Sequence, residues 1–184
     1  MEKLFWYISF LVILLASCDT PSDFIRTKFI PNKKEGMIVG TLCTKKKIFG
    51  PDLYTLFFAR DTSITRLVSS KETFFKARDT RGKFSISAGR YKPDFKVGKE
   101  KIFLFNIVKP AGKYNFFELE LFYNSGAIQS KEVIQIDYPF EIMEGETKYI
   151  GELDIDLNDY IIRLDNEIER DRKYFNSKFP TIKF

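Results

Sequence analysis

Residues 133–157, VIQIDYPFEIMEGETKYIGELDIDL, decide the fold class. In the first half Ile134, Ile136, Tyr138 and Phe140 recur at every second position, which in an extended chain places them on one face. In the second half Tyr149, Gly151, Leu153 and Ile155 fall in step in the same way. Between them stands Glu144-Gly145-Glu146, short enough for a tight hairpin with glycine at its tip. A period of two on both sides of a turn predicts two neighbouring antiparallel strands.

The same reading extends outward. MIVGTLCT (37–44), LYTLFFAR (53–60) and KFSIS (83–87) have strand character, and Asp79–Gly82 is a turn signal before the last of these. The short apolar pieces ITRLVSS and TFFKA lie between residues 62 and 78, and GRYKPDFKVGKE (89–100) reads as a loop. KIFLFNIV (101–108) is almost continuously apolar, as in a strand covered on both faces. Pro110-Ala111-Gly112 turns the chain into KYNFFELELFY (113–123), where Phe117, Leu119 and Leu121 are expected on a core face and Glu118 and Glu120 on a wet one. NSGA marks another turn, and YIIRL (160–164) a last short strand. With 20 Phe and 9 Tyr, the composition suits pleated surfaces. The expectation is a mainly β fold, an antiparallel β-sandwich of seven or eight strands over residues 37–164.

The end of the chain changes period. In DNEIERDRKYFNSKF (165–179) Ile168, Arg172, Phe175 and Phe179 share one face at helical spacing, Asn166 and Glu169 have capping-box spacing, and Pro180 stops the run. One C-terminal α-helix of three to four turns is predicted within residues 165–184, its narrow apolar stripe packed on the sandwich.

At the other end, residues 4–17 carry no charge. As a helix they would rise about 21 Å, short of a bilayer core of about 30 Å. They have the length of the apolar core of a secretory signal. Leu15-Ala16-Ser17-Cys18 then resembles the lipobox of bacterial lipoproteins. The resemblance implies cleavage before Cys18, a diacylglyceryl group on its thiol and a palmitate-like acyl chain on its new amino group. Several chains together give stable anchoring where one is marginal. Residues 1–17 are thus expected to be a signal peptide and 18–36 a lipidated tether, in which Phe24, Ile25, Phe29 and Ile30 are more apolar than a free linker needs. Asp19 resembles an inner-membrane retention signal, a rule that differs between bacterial groups, so the membrane and leaflet stay open.

Further pieces resemble a family of small bacterial lipoproteins of unknown function with a transthyretin-like or carboxypeptidase-regulatory-like β-sandwich. They are Gly36–Gly40, Lys109–Tyr114, Tyr138–Ile142 with Lys148–Leu153, and the tail from Asp165 to Asp171 with Phe179-Pro180. The resemblance spans roughly residues 36–180 and implies fold and location. It carries no catalytic residue.

The chemistry is sparse. The chain has no histidine, which removes the commonest general base and metal ligand. If Cys18 is acylated, Cys43 has no disulfide partner in the chain; it reads as a packed thiol. Asp154, Asp156 and Asp159 have oxygen-rich spacing, yet lack the glycine of a calcium loop and read as a solvated strand end. Glu118 and Glu120 have no evident facing group. Lys45-Lys46-Lys47, in a chain of formal charge +5, reads as a solvated basic loop, with contact to anionic head groups as the alternative. Arg90-Tyr91-Lys92 suits sugar or peptide contact. No catalytic residue, metal site or cofactor is assigned, and nucleic acid is not an expected partner of an exported chain. The expected function is a non-enzymatic binding or structural module of the bacterial cell envelope, held to a membrane through Cys18 and meeting an envelope protein or glycan. The alternatives are an accessory subunit of an envelope secretion or transport complex and, more distantly, a carboxylate-based hydrolase.

Overall fold

The computed structural model describes residues 34–45, 50–61, 81–89 and 91–184. Among them lie nine strands and a C-terminal helix: β1 (Glu35–Lys45), β2 (Leu53–Arg60), β3 (Arg81–Ile86), β4 (Phe95–Val97), β5 (Glu100–Pro110), β6 (Gly112–Asn124), β7 (Gln129–Ile142), β8 (Thr147–Asp156), β9 (Ile161–Asp165) and α1 (Ile168–Lys178). They build two sheets, ordered β4-β5-β1-β8-β9 and β3-β2-β6-β7. Two details correct the expected seven or eight antiparallel strands. The segment read as a loop before residue 100 contains β4, a three-residue strand that pairs with β5 and is too short to show a period. And β1 runs parallel to β8, which makes the larger sheet mixed.

The sheets enclose one apolar core. Ile38, Leu42, Phe103, Phe105 and Leu153 of the larger sheet meet Leu56, Phe58, Phe116, Leu119 and Leu121 of the smaller. Each fully buried Phe or Leu among them contributes about 1.5–3 kcal/mol relative to exposure. Phe58 sits edge-on to Phe116 and Phe140, with centroids 5.9 and 6.1 Å away. The opposite face of the larger sheet is buried too. Met37, Val39, Cys43, Ile102 and Leu104 lie under Phe175 and Phe179 of the helical end and Ile182 of the tail. This double cover explains the unbroken apolar runs of β1 and β5: alternate residues serve different cores. The stripe of α1 therefore packs on the sheet, as expected.

The predicted hairpin at Glu144–Glu146 is instead an arch between sheets. β7 belongs to the smaller sheet and β8 to the larger. Gly145 takes a left-handed conformation (φ 69°). Its amide donates to the Glu35 carbonyl, and the Met37 amide donates to the Glu146 carbonyl, both at 2.8 Å. A turn within a sheet and an arch between sheets use the same turn residues and the same flanking alternation, so the pattern alone does not separate them. Pro110-Ala111-Gly112 is a second arch, from β5 to β6, braced by the Tyr114 hydroxyl donating to the Pro110 carbonyl at 2.8 Å.

Two bulges break the expected alternations. In β6 the register shifts around Phe117 against both β2 and β7. Tyr114 and Phe116 face the core before it and Leu119 and Leu121 after it, while Phe117 contacts Phe57 at 6.5 Å. In β8 the register against β1 shifts between Val39 and Thr41, around Gly151. Gly151 has φ +116°, and a Cβ there would lie 2.9 Å from the Asp165 carbonyl oxygen. Tyr149 consequently faces the helix, not the inner core that receives Leu153 and Ile155.

The expected capping box does not form. Glu167 holds the N-cap position without a side-chain cap bond. Asn166 Oδ1 accepts from the Ile168 amide at 3.4 Å, while Glu169 is drawn to Arg172 at 3.2 Å.

Candidate functional site

The bulge at Gly151 has a chemical consequence. By skipping one step of the pleat it sets Tyr149 and Glu152 on the same outer face, beside Thr41 of β1 and beneath α1. Asp171, wholly buried on the helix, descends between them. Its Oδ2 accepts from the Thr41 hydroxyl and the Tyr149 hydroxyl, both at 2.7 Å. Its Oδ1 accepts from Arg170 Nε at 2.8 Å. Arg170 also pairs with Glu152 and lies over the Phe95 ring at 5.5 Å. Burial raises the Glu152 carboxyl above its ordinary range despite the Arg170 contact, with Asp171 adding repulsion. Burial opposes the charge on Arg170, but hydrogen bonds to Glu152 and Asp171 outweigh it and raise its pKa. Tyr149 is pushed up by burial and by its bond to Asp171. These five side chains bond to one another, and the arrangement holds a helix on a sheet.

The outer face continues as an ionic row. Asp154 and Asp156 share a face, as their spacing predicts, but they are not a solvated end. Asp154 is buried and meets Arg163 at 2.9 Å and Lys45 at 3.5 Å; Asp156 meets Lys45 at 3.3 Å. Asp154 Oδ2 and Asp156 Oδ2 are thus engaged by side-chain cations. Cys43, opposite Asp154, is buried, and burial followed by the nearby carboxylates pushes its thiol far up, away from nucleophilic use.

A more open feature lies on the flank where β7 and β9 are the edge strands of their sheets. A crevice of about 160 Å³ is lined by Phe116, Tyr138, Phe140, Ile150 and Leu164. It shares Phe140, Glu141 and Lys148 with a cleft of about 450 Å³ that also exposes Asp61, Lys113 and Asp137. Tyr138 ties the flank together by donating to the Ile162 carbonyl. Leu164, at the mouth of the crevice, is 42% exposed.

Of the residues singled out from sequence, Leu15, Ala16, Ser17 and Cys18 lie outside the described residues, as do Phe24, Ile25, Phe29, Ile30, Lys46, Lys47 and Arg90. Lys45 is described, and its ammonium is engaged by Asp154 and Asp156 rather than turned wholly to solvent. Glu120 pairs with Lys131 at 2.5 Å and Glu118 accepts from Gln135 at 3.4 Å, so the two carboxylates serve cross-strand contacts. The buried group Thr41, Tyr149, Glu152, Arg170 and Asp171 was not signalled by any motif. One trace existed: Asp171 stands four residues before Phe175, on the stripe that buries.

No family model and no curated protein matches the chain. Among solved structures it is similar to a leucine-rich repeat protein from Bacteroides thetaiotaomicron, at 14% identity and a TM-score of 0.35. The likeness covers 70% of this chain and 14% of that one, so the chain spans a small part of that protein's length.

Proposed function

We propose that the chain is a lipid-anchored protein of the bacterial cell envelope, a non-enzymatic binding or structural module held to a membrane by acyl chains on Cys18. The carrying observation is the uncharged run 4–17 ending in Leu15-Ala16-Ser17-Cys18. Small side chains before a lone thiol suit a peptidase that must approach the backbone closely and an acyl transfer that needs a sulfur nucleophile. We assign the body to a transthyretin-like or immunoglobulin-like sandwich. The Tyr114–Pro110 bond supports this, since a tyrosine bonded a few residues upstream braces corners in such folds.

The pairing of the carboxylates on the outer face of the larger sheet supports a binding role over hydrolysis. Glu152 and Asp171 are held by Arg170, and Asp154 and Asp156 by Lys45 and Arg163. The reading as an accessory subunit docked through its helix is weakened, because Phe175 and Phe179 are spent on the sheet. Among the described residues, the flank between β7 and β9 offers a surface for an envelope protein or glycan. The test is metabolic labelling with a palmitate analogue. Cys18→Ala is expected to abolish the label; label persisting at another residue would reject the anchor.

A further inference from the structure

Strand β9 covers only half of β8. Its ladder joins Ile161–Asp165 to Glu152–Asp156, whereas β8 starts at Thr147. On that side Thr147–Ile150 have no strand partner among the described residues, and after Asp165 the chain leaves for α1. An unpaired strand edge presents backbone donors and acceptors at the spacing of another strand, which an extended polypeptide matches and a sugar or lipid does not. A peptide there would continue the β8–β9 ladder in line with β9. The apolar crevice of Phe140, Ile150 and Leu164 opens beside this edge and has room for one side chain. The adjoining cleft sets three carboxylates, Asp61, Asp137 and Glu141, against two ammonium groups, Lys113 and Lys148. The surplus acid favours a basic side chain.

We propose that the open edge of β8 is a docking site for an extended peptide segment of an envelope partner, one that inserts an apolar side chain between Phe140, Ile150 and Leu164 and offers a basic side chain to Asp61, Asp137 and Glu141. This rests on the reading of the protein as an envelope binding module and names the surface and chemistry of the partner.

The probe is a fluorescein-labelled hexapeptide, acetyl-KIKFKI-amide, titrated into the full-length protein in detergent. Its counterpart methylated on alternate backbone nitrogens keeps the side chains and loses the edge hydrogen bonds. Saturable binding is expected, weakened about tenfold or more by that methylation and by Leu164→Asp, and unchanged by Ile128→Asp at an exposed turn. Leu164 is 42% exposed and lies outside the inner core, so its aspartate variant is expected to fold, and a thermal melt of each variant verifies this. Amide exchange at Thr147–Ile150 is expected to slow when the peptide binds. Equal binding of the methylated peptide, indifference to Leu164→Asp, or no saturation by about 1 mM with unchanged exchange would overturn the proposal. So would binding of phosphatidylglycerol vesicles or purified peptidoglycan that Leu164→Asp abolishes while the peptide fails to bind. Peptide binding retained in Cys18→Ala separates this site from the anchor, whose acyl label is read independently.

Discussion

The two faces of the five-stranded sheet solve burial differently. The inner face meets another sheet, and Ile38, Leu42, Phe103, Phe105, Ile107, Leu153 and Ile155, which β1, β5 and β8 turn to it, are all apolar. The outer face meets a helix of 11 residues, which with the tail covers Met37, Val39, Cys43, Phe95, Ile102 and Leu104. The rest of that face is covered by charge: Thr41, Glu152 and Asp171 lie at 5% exposure or less with Arg170 across them. A sheet can cover a sheet with side chains of one kind. A single short helix cannot, and the residual area is filled by ions that are tolerable only because each has a partner.

That contrast can be broken from either side. The largest effect is expected at the inner face: Phe103→Ala should cost about 4 kcal/mol in urea unfolding, through lost transfer and a residual cavity. On the outer face Arg170→Met should cost about 3 kcal/mol, because Glu152 and Asp171 then lie buried beside each other without a cation. It should also loosen α1, seen as a fall in the near-ultraviolet signal of Tyr149 and Phe184, whose rings stack at 5.5 Å. Gly151→Ala should cost about 2 kcal/mol, since φ +116° strains any L side chain and the Asp165 carbonyl blocks the space. Lys45→Met should cost less than about 1 kcal/mol, as its side chain is one-third exposed and solvent screens both of its pairs.

The finest test uses pH. Burial raises the folded-state pKa of Glu152 above its ordinary value of 4.5, so the native protein holds that proton where the unfolded chain has released it. The stability this group contributes is complete below its ordinary value and is lost as pH rises through the raised folded value. Urea midpoints measured across this window should therefore fall less steeply with rising pH in Glu152→Gln than in the parent. An identical slope would show that Glu152 is not the titrating group.

Legibility followed the same division. Alternation in 133–142 and the unbroken run of 101–108 identified strands and even double burial, because apolar content reports burial directly. The helix and its packing face were visible from Phe175 and Phe179. Which sheet each strand joins was not, because Gly145 serves an arch as well as a hairpin. The bulges at Phe117 and Gly151 were not plain either: Gly151 is a residue at which a strand can bulge, yet it falls in step with its neighbours, and nothing in FFELEL marks where the faces exchange. The outer ionic group was hidden for a physical reason. Asp171 and Glu152 look like surface residues until a three-dimensional partner justifies burying them. The flank was equally hidden, since it depends on β9 stopping halfway along β8.

Cys18 is the residue through which the protein is proposed to be held to its membrane. Mass spectrometry of the amino-terminal peptide, taken from protein extracted from bacterial membranes, tests it directly. The predicted result is a chain beginning at Cys18 and carrying diacylglyceryl on the thiol. A chain beginning at Met1 with a free thiol at Cys18, recovered without detergent, would contradict it.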